Sequence, residues 1–367
     1  MSTTTDTGRP PSSHAVVLYG PGETRFEELP RPSPAAGEIL LKLRCCGLCG
    51  TDLYKLTQGS ATNGGVLGHE LTGTVSALGA GVDSFAIGDR VVTPHHVPCG
   101  VCLLCRHGNQ TLCPVFRENL IEPGGFSEYF LVRSRAVDHV ARVVPDGMPD
   151  DVAIFLEPSA CVLRGIDQSG LPDPARDPGG DLFALILGAG SMGLLHLLVL
   201  RAIYPELAVM ISDPIAERRQ LALDLEATSA IHPDEMGGTI SDLTDDRGVD
   251  CVFDTVGRPA ALRQAFGATR EGATVVLFAH GRPGEELTLE LNALFKSERR
   301  LVGTYSGGPD EQARVWDLLE NGTLDPSPLV THRLPLSRFQ EGVDLAVAHQ
   351  ALKVVLVPDE GESPEPA

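Results

Sequence analysis

The stretch Leu182-Phe-Ala-Leu-Ile-Leu187-Gly188-Ala-Gly190-Ser-Met-Gly193-Leu-Leu-His196 decides the fold. Its first six residues are a continuous apolar run, suited to a strand buried on both faces of a sheet. From Ser191 to Ile203 the pattern is helical, and Pro205 ends it. Between strand and helix stands a Gly-x-Gly-x-x-Gly turn. Its first glycine permits a tight turn, and its second lets backbone approach a pyrophosphate. The third lets helix and strand pack closely, with the diphosphate at the positive helix N-terminus. Short glycine patterns arise often by chance, but here the flanking strand and helix supply the required context. Gly188, Gly190, Met192 and Gly193 are therefore candidate cofactor residues.

Working outward, a second strand is predicted over Leu207–Ser212 and closes on Asp213. A carboxylate there accepts from a ribose 2′-hydroxyl and repels a 2′-phosphate, which favours NAD over NADP. Arg218 and Arg219 lie close behind and keep NADP open. Asp213 beside Pro214 also reads as a helix N-cap, and both roles can hold together. Strand-like runs recur at Asp250–Asp254, Ala273–Phe278 and Arg300–Tyr305, with helical stretches between them. That alternation predicts a doubly wound parallel sheet. A helix around Asp310–Glu320, a Pro-rich stretch, a helix near Phe339–His349 and a strand at Leu352–Val357 follow. Before residue 155 the chain reads as β-rich instead. Ala15–Leu18, Glu38–Cys45, Leu71–Leu78 and Arg90–Thr93 are short runs punctuated by Gly and Pro, which suits a small antiparallel barrel.

At 367 residues and 42% hydrophobic content the chain has material for two cored domains. No run of 18 apolar residues is present, so no transmembrane helix is expected. A formal charge of −20 argues against nucleic acid or an anionic membrane as partner. The opening Met-Ser-Thr-Thr-Thr-Asp has no apolar stretch to export it, so a reducing, cytoplasmic setting is expected.

In that setting Cys99, Cys102, Cys105 and Cys113 have metal-ligand spacing rather than disulfide spacing. Two residues between neighbours let a tight turn swing successive thiolates toward one centre, as tetrahedral zinc demands. A closed all-thiolate site leaves no open position, so this zinc would be structural. A second constellation lies elsewhere. Cys49-Gly50-Thr51-Asp52 follows one strand, Gly68-His69-Glu70 precedes another, and Glu157 sits in Leu156-Glu157-Pro158. Singly, a buried Cys reads as core and a His-Glu as a satisfied polar pair. Together, a thiolate, an imidazole and a carboxylate from three segments make a three-ligand zinc with an open fourth position, the catalytic kind.

These residues resemble the zinc-dependent medium-chain dehydrogenases, the superfamily of alcohol, sorbitol and threonine dehydrogenases. The likeness runs from about Ala15 to Val357. Besides the two metal constellations and Gly188-Ala-Gly190, it includes Gly88-Asp-Arg-Val91, Gly124-Gly-Phe-Ser-Glu-Tyr129 and Asp250-Cys-Val-Phe-Asp-Thr-Val-Gly257. The resemblance implies a GroES-like β-barrel catalytic domain over 14–158, a Rossmann domain over 159–306 and a return to the first over 307–358. Residues 1–13 and 359–367 are expected to be disordered tails. It also implies a cleft where zinc meets nicotinamide, and a homodimer or homotetramer joined partly near Arg300–Tyr305.

Residue by residue, the resemblance makes Cys49 and His69 zinc ligands and Glu70 a neighbour able to exchange onto the metal. Glu157 matches the third ligand of the sorbitol, threonine and polyol branch, with Cys161 as its rival. Thr51 matches the hydroxyl that takes the substrate's proton, and Lys353 a basic residue reaching the pyrophosphate, or else an exposed strand-end lysine. Tyr54 stands where relatives often place a relay His; a phenol with an ordinary pKa near 10 passes protons but is a poor base. His96 resembles a His before the cysteine lobe in threonine dehydrogenases and either faces substrate or is simply a loop residue; His95 reads as solvated. The implied activity interconverts a secondary alcohol (polyol, sugar, cyclitol or amino alcohol) and its ketone by hydride transfer to NAD, with two zincs per chain. Simple or aromatic alcohols are the alternative substrates. A catalytically silent NAD- and zinc-binding relative is the alternative role, opposed by the intact ligand positions and the Thr51 hydroxyl.

Overall fold

The computed structural model describes residues 11–58, 64–173, 175 and 181–359. Two units divide the chain: Met1–Leu156 with Val330–Ala367, and Glu157–Leu329. The first begins with strands β1 (Ser12–Gly20), β2 (Glu23–Pro30), β3 (Ile39–Gly47), β4 (Gly65–Val66), β5 (Glu70–Leu78), β6 (Arg90–Val92), β7 (Ile121–Glu122), β8 (Tyr129–Val132) and β9 (Arg142–Val143). β1, β2 and β4 pair antiparallel as a small sheet. In β3 nearly every residue is buried, as befits a strand with neighbours on both edges.

The second unit carries β10 (Phe183–Leu187), β11 (Ala208–Ser212), β12 (Ser229–Ile231), β13 (Val249–Asp254), β14 (Thr269–Leu277) and β15 (Arg300–Gly303). Their order is β12-β11-β10-β13-β14-β15, and every adjacent pair is parallel. Numbered from β10, this is the 3-2-1-4-5-6 order of a doubly wound dinucleotide fold. All six residues of β13 are buried, matching the continuous apolar signal. The chain then rejoins the first unit as β16 (Val330–Pro335) and β17 (Lys353–Val357). There the sheet runs β16-β17-β3-β5-β6-β9, with β8 also on β3, and forms a half-barrel. Its core is Ile39, Leu41, Leu71, Phe126 and Phe130, each no more than 1% exposed. Each such side chain contributes about 1.5–3 kcal/mol by leaving water.

Several predictions from sequence need correction. Ser12 and Ser13 pair with Pro30 and Leu29 in β1, so the ordered chain starts inside the expected tail. Asp359 likewise accepts from the Ser337 N–H, while 1–10 and 360–367 lie outside the described residues. Return to the first unit comes at Val330 rather than 307. The helix Pro309–Glu320 stays with the parallel sheet because Arg164 donates to Glu311 at 3.0 Å and Gly307 lies against Ala160 too closely for a Cβ. No described helix is long and apolar enough to cross a membrane.

Candidate metal centres and glycine-rich turn

Cys49 ends the link from β3, and Gly50–Gln58 is a helix that begins directly after it. Asp52, fully buried, ties this corner together. Its carboxylate accepts from the Cys49 N–H at 3.1 Å and from the Gly68 N–H at 3.4 Å. The same carboxylate stands 3.4 Å from His69 Nδ1, which leaves Nε2 as the nitrogen for a metal. Burial opposes the Asp52 charge, but His69 and the Cys49 N–H outweigh it and hold the carboxyl below its usual range. Burial likewise opposes a charged His69, yet Asp52 and Cys49 raise its imidazole well above the ordinary value. The corner is thus a buried site that favours positive charge. One donor atom each from Cys49, His69 and Glu70 lies within 4.8 Å of the others.

Lys353 is not an exposed strand end. It is 2% exposed, and its Nζ donates to Glu70 Oε2 at 2.5 Å. Thr51, half-buried, sends its N–H toward Cys49 Sγ at 3.5 Å, and Tyr54 follows three residues along the same helix. His95 is not solvated: its ring lies 4.6 Å from that of His69 and 3.6 Å from that of His96. Both His95 Nδ1 and His96 Nδ1 are buried without a hydrogen-bond partner. Burial first, then the neighbouring His69, push His96 down to about 3, so both rings are neutral.

Cys99, Cys102, Cys105 and Cys113 form the second cluster, again within 4.8 Å of one another. Bonds of about 2.3 Å at tetrahedral angles set zinc-bound sulfurs ~3.8 Å apart. The Cys99–Cys105 and Cys102–Cys105 sulfurs are 4.0 and 3.5 Å apart, and all four cysteines are free thiols. Backbone N–H groups of Val101 and Cys102 pull the Cys99 thiol down to about 6, toward the thiolate a metal needs. The donor set fits a structural zinc.

At the turn, Gly188 has φ +94°, and a Cβ on Gly193 would strike the Gly188 carbonyl. The helix Ser191–Ile203 therefore packs directly on the strand end. Gly190 opens on free space, with the Arg218 guanidinium 3.9 Å from where its Cβ would stand. Asp213 accepts from the Ala189 N–H at 2.7 Å and the Ile215 N–H at 2.8 Å. It is not the helix N-cap, a position that Ile215 holds. Ser191 Oγ is buried without a partner beside the helix N-terminus, and an unpaired donor there fits an anionic group. Met192 gives its carbonyl to His196 Nδ1. Glu157 opens the helix Leu156–Gln168, where the Cys161 thiol donates to its Oε1 at 3.4 Å.

Residues 35–143 match the alcohol dehydrogenase GroES-like domain, and 192–321 match the zinc-binding dehydrogenase family. An L-threonine 3-dehydrogenase of Anaeromyxobacter sp. (strain Fw109-5) is 31% identical over 341 residues, covering 90% of this chain and 94% of that one. The chain belongs to the zinc-dependent medium-chain dehydrogenases. This dehydrogenase is also 29% identical over 362 residues to a sorbitol dehydrogenase of Bacillus subtilis (strain 168), covering 95% and 98%. A Sinorhizobium meliloti 1021 protein described as a zinc-binding dehydrogenase, solved bound to NADP, gives a TM-score of 0.83 at 28% identity, covering 95% of this chain and 100% of that one. The dehydrogenase is accordingly a zinc-dependent oxidoreductase that works with a nicotinamide dinucleotide on secondary alcohols.

Sequence reading missed two of its functional contacts. Asp52 lies inside a quoted motif, and its signal was a carboxylate three residues after a candidate ligand cysteine. The Glu70–Lys353 pair joins residues 283 positions apart, and no local pattern announces it.

Proposed function

We propose that the enzyme oxidises a polyhydroxylated or amino alcohol to its ketone with NAD, using Cys49, His69 and Glu157 as zinc ligands and Glu70 as an exchangeable neighbour. The observation that carries this is the cationophilic corner of Cys49, His69 and Glu70, oriented by Asp52. Glu157 stands as third ligand on the family resemblance and the Glu-Pro pattern. Zinc held there would supply Lewis acidity toward a hydroxyl, and a bound nicotinamide would supply the hydride acceptor. Thr51 receives the hydroxyl proton, and Tyr54, one turn along, hands it toward solvent. His95 and His96 are neutral imidazoles with unpartnered nitrogens, which suits hydrogen bonding to further hydroxyl or amino groups of the substrate. NAD preference is supported by Asp213, whose carboxylate would repel a 2′-phosphate; Arg218 then serves the ribose.

The relatives named sorbitol and L-threonine dehydrogenase support the same substrate class. The enzyme is cytoplasmic and homo-oligomeric in this reading, joined in part through β15. A panel of polyols, sugars, cyclitols, amino alcohols and simple alcohols, followed by NADH or NADPH absorbance, tests it. The expected result is kcat/KM highest on a polyol or amino alcohol, and at least about tenfold higher with NAD, a difference of ~1.4 kcal/mol. Best turnover on an aromatic or simple alcohol, or a preference for NADP, overturns the corresponding part.

A further inference from the structure

The geometry points to Lys353 as a positioning residue for the Cys49–His69 metal centre, holding Glu70 so that a coordination position stays open. The inference rests on the proposed zinc reading of that corner. In the half-barrel, β17, β3 and β5 lie side by side, with Val355 opposite Gly47 and Gly47 opposite Glu70. Lys353 and Glu70 therefore sit on strands two steps, or about 10 Å, apart. The lysine reaches across β3 at Gly47. A Cβ there would strike the Glu70 carboxylate and lie 3.4 Å from Lys353 Cδ.

The pair is desolvated, with side chains 3% and 0% exposed, and the ammonium also stands 5.5 Å over the Phe155 ring. It occupies Glu70 Oε2 alone. Oε1 is buried with no hydrogen-bond partner, in a cluster that already holds the Cys49 and His69 donors. A buried carboxylate without a counter-charge is costly, and the remaining cation available to it would be the metal. Without Lys353, Glu70 would settle on the metal and fill the position that a substrate oxygen needs. With Lys353, Glu70 is neutralised and stays a reversible neighbour.

Cobalt(II) substitution of the full-length chain tests this, because the visible band shifts when a carboxylate oxygen takes the position otherwise held by water. The Cys49-dependent band is isolated as the difference between wild type and Cys49→Ser. Lys353→Met is expected to shift that band, and to slow zinc release to a chelator by roughly tenfold, the scale on which groups behind a ligand act. It should also lower kcat more than it changes KM. Lys353→Arg should keep the wild-type spectrum. The double variant Lys353→Met/Glu70→Gln, with no buried charge left to place, should recover it. A Lys353→Met spectrum that superimposes on wild type, or a double variant that keeps the altered band, overturns the inference. Absence of any Cys49-dependent band in wild type instead removes the zinc reading itself.

Discussion

His196 sits in the interior of the second unit, with its ring 4.6 Å from Phe278 and 5.2 Å from Phe253. Its Nδ1 bonds the Met192 carbonyl at 2.7 Å, and its Nε2 is buried without a partner. Burial pushes the imidazole down to about 4, and the Met192 bond recovers only part of the loss. Above pH 6.5 the ring is neutral both folded and unfolded and contributes nothing to pH dependence. Between 6.5 and about 4 only the unfolded chain takes up the proton, so stability falls by up to about 3 kcal/mol as pH drops through that window. Below 4 no further loss arises from this residue. His196→Leu should flatten that part of the profile, read as urea midpoints at pH 7, 6, 5 and 4. Parallel wild-type and variant curves would contradict it. The residue was legible as part of an apolar helix, but its consequence was not. The sequence shows a histidine among leucines, whereas the cost comes from burial beside Phe253 on β13 and Phe278 just past β14.

Among elements, the four-cysteine lobe depends most on a ligand for its fold. Its apolar core is Cys105, Cys113 and Phe116, with Val115 and two further cysteines packed alongside, far less than a segment of that length needs. Cys102→Ser should release one zinc per chain and open 99–113 to protease, whereas Cys49→Ser should release one zinc and leave that segment resistant. Metal analysis with limited proteolysis distinguishes the two. Intact lobes in both variants would show that the thiolate site is dispensable for folding. The lobe was readable from spacing alone because metal geometry is local. Two helices were not. Gly50–Gln58 starts on a glycine and a β-branched threonine, and Leu156–Gln168 contains Pro158 and Gly165. Pro158 falls in the first turn, where its missing N–H has no helical partner anyway. Gly165 faces Phe278, Thr304 and Val276, so the helix lies close against the sheet there. Those contacts are tertiary, and propensity cannot foresee them.

For the molecule as a whole, β15 is the edge of the parallel sheet, and Leu301, Tyr305, Phe295 and Leu291 near it are exposed. An open edge with apolar side chains invites pairing with another copy. Leu301→Lys should convert the proposed oligomer to a species of half its mass or less by light scattering, with the secondary-structure spectrum retained. An unchanged mass, or a wild type that is already monomeric, argues against this edge as the joint. The two-unit plan was legible because strand period changes abruptly between the antiparallel and the alternating halves. The unit boundary at Val330 was not, since it depends on which surface the helix Pro309–Glu320 covers.

The placement of β17 bears on how the chain acquires its shape during synthesis. This strand is synthesised some 300 residues after β3, yet it lies between β16 and β3 and carries the lysine that balances Glu70. The amino-terminal half-barrel must therefore wait, with a seam open and an acidic side chain uncompensated, until some 300 later residues have emerged. The parallel-sheet unit, contiguous in the chain, can fold in the meantime. Birth order and folding order run opposite ways, and a truncation just ahead of Lys353 would strike the earliest-made part of the protein.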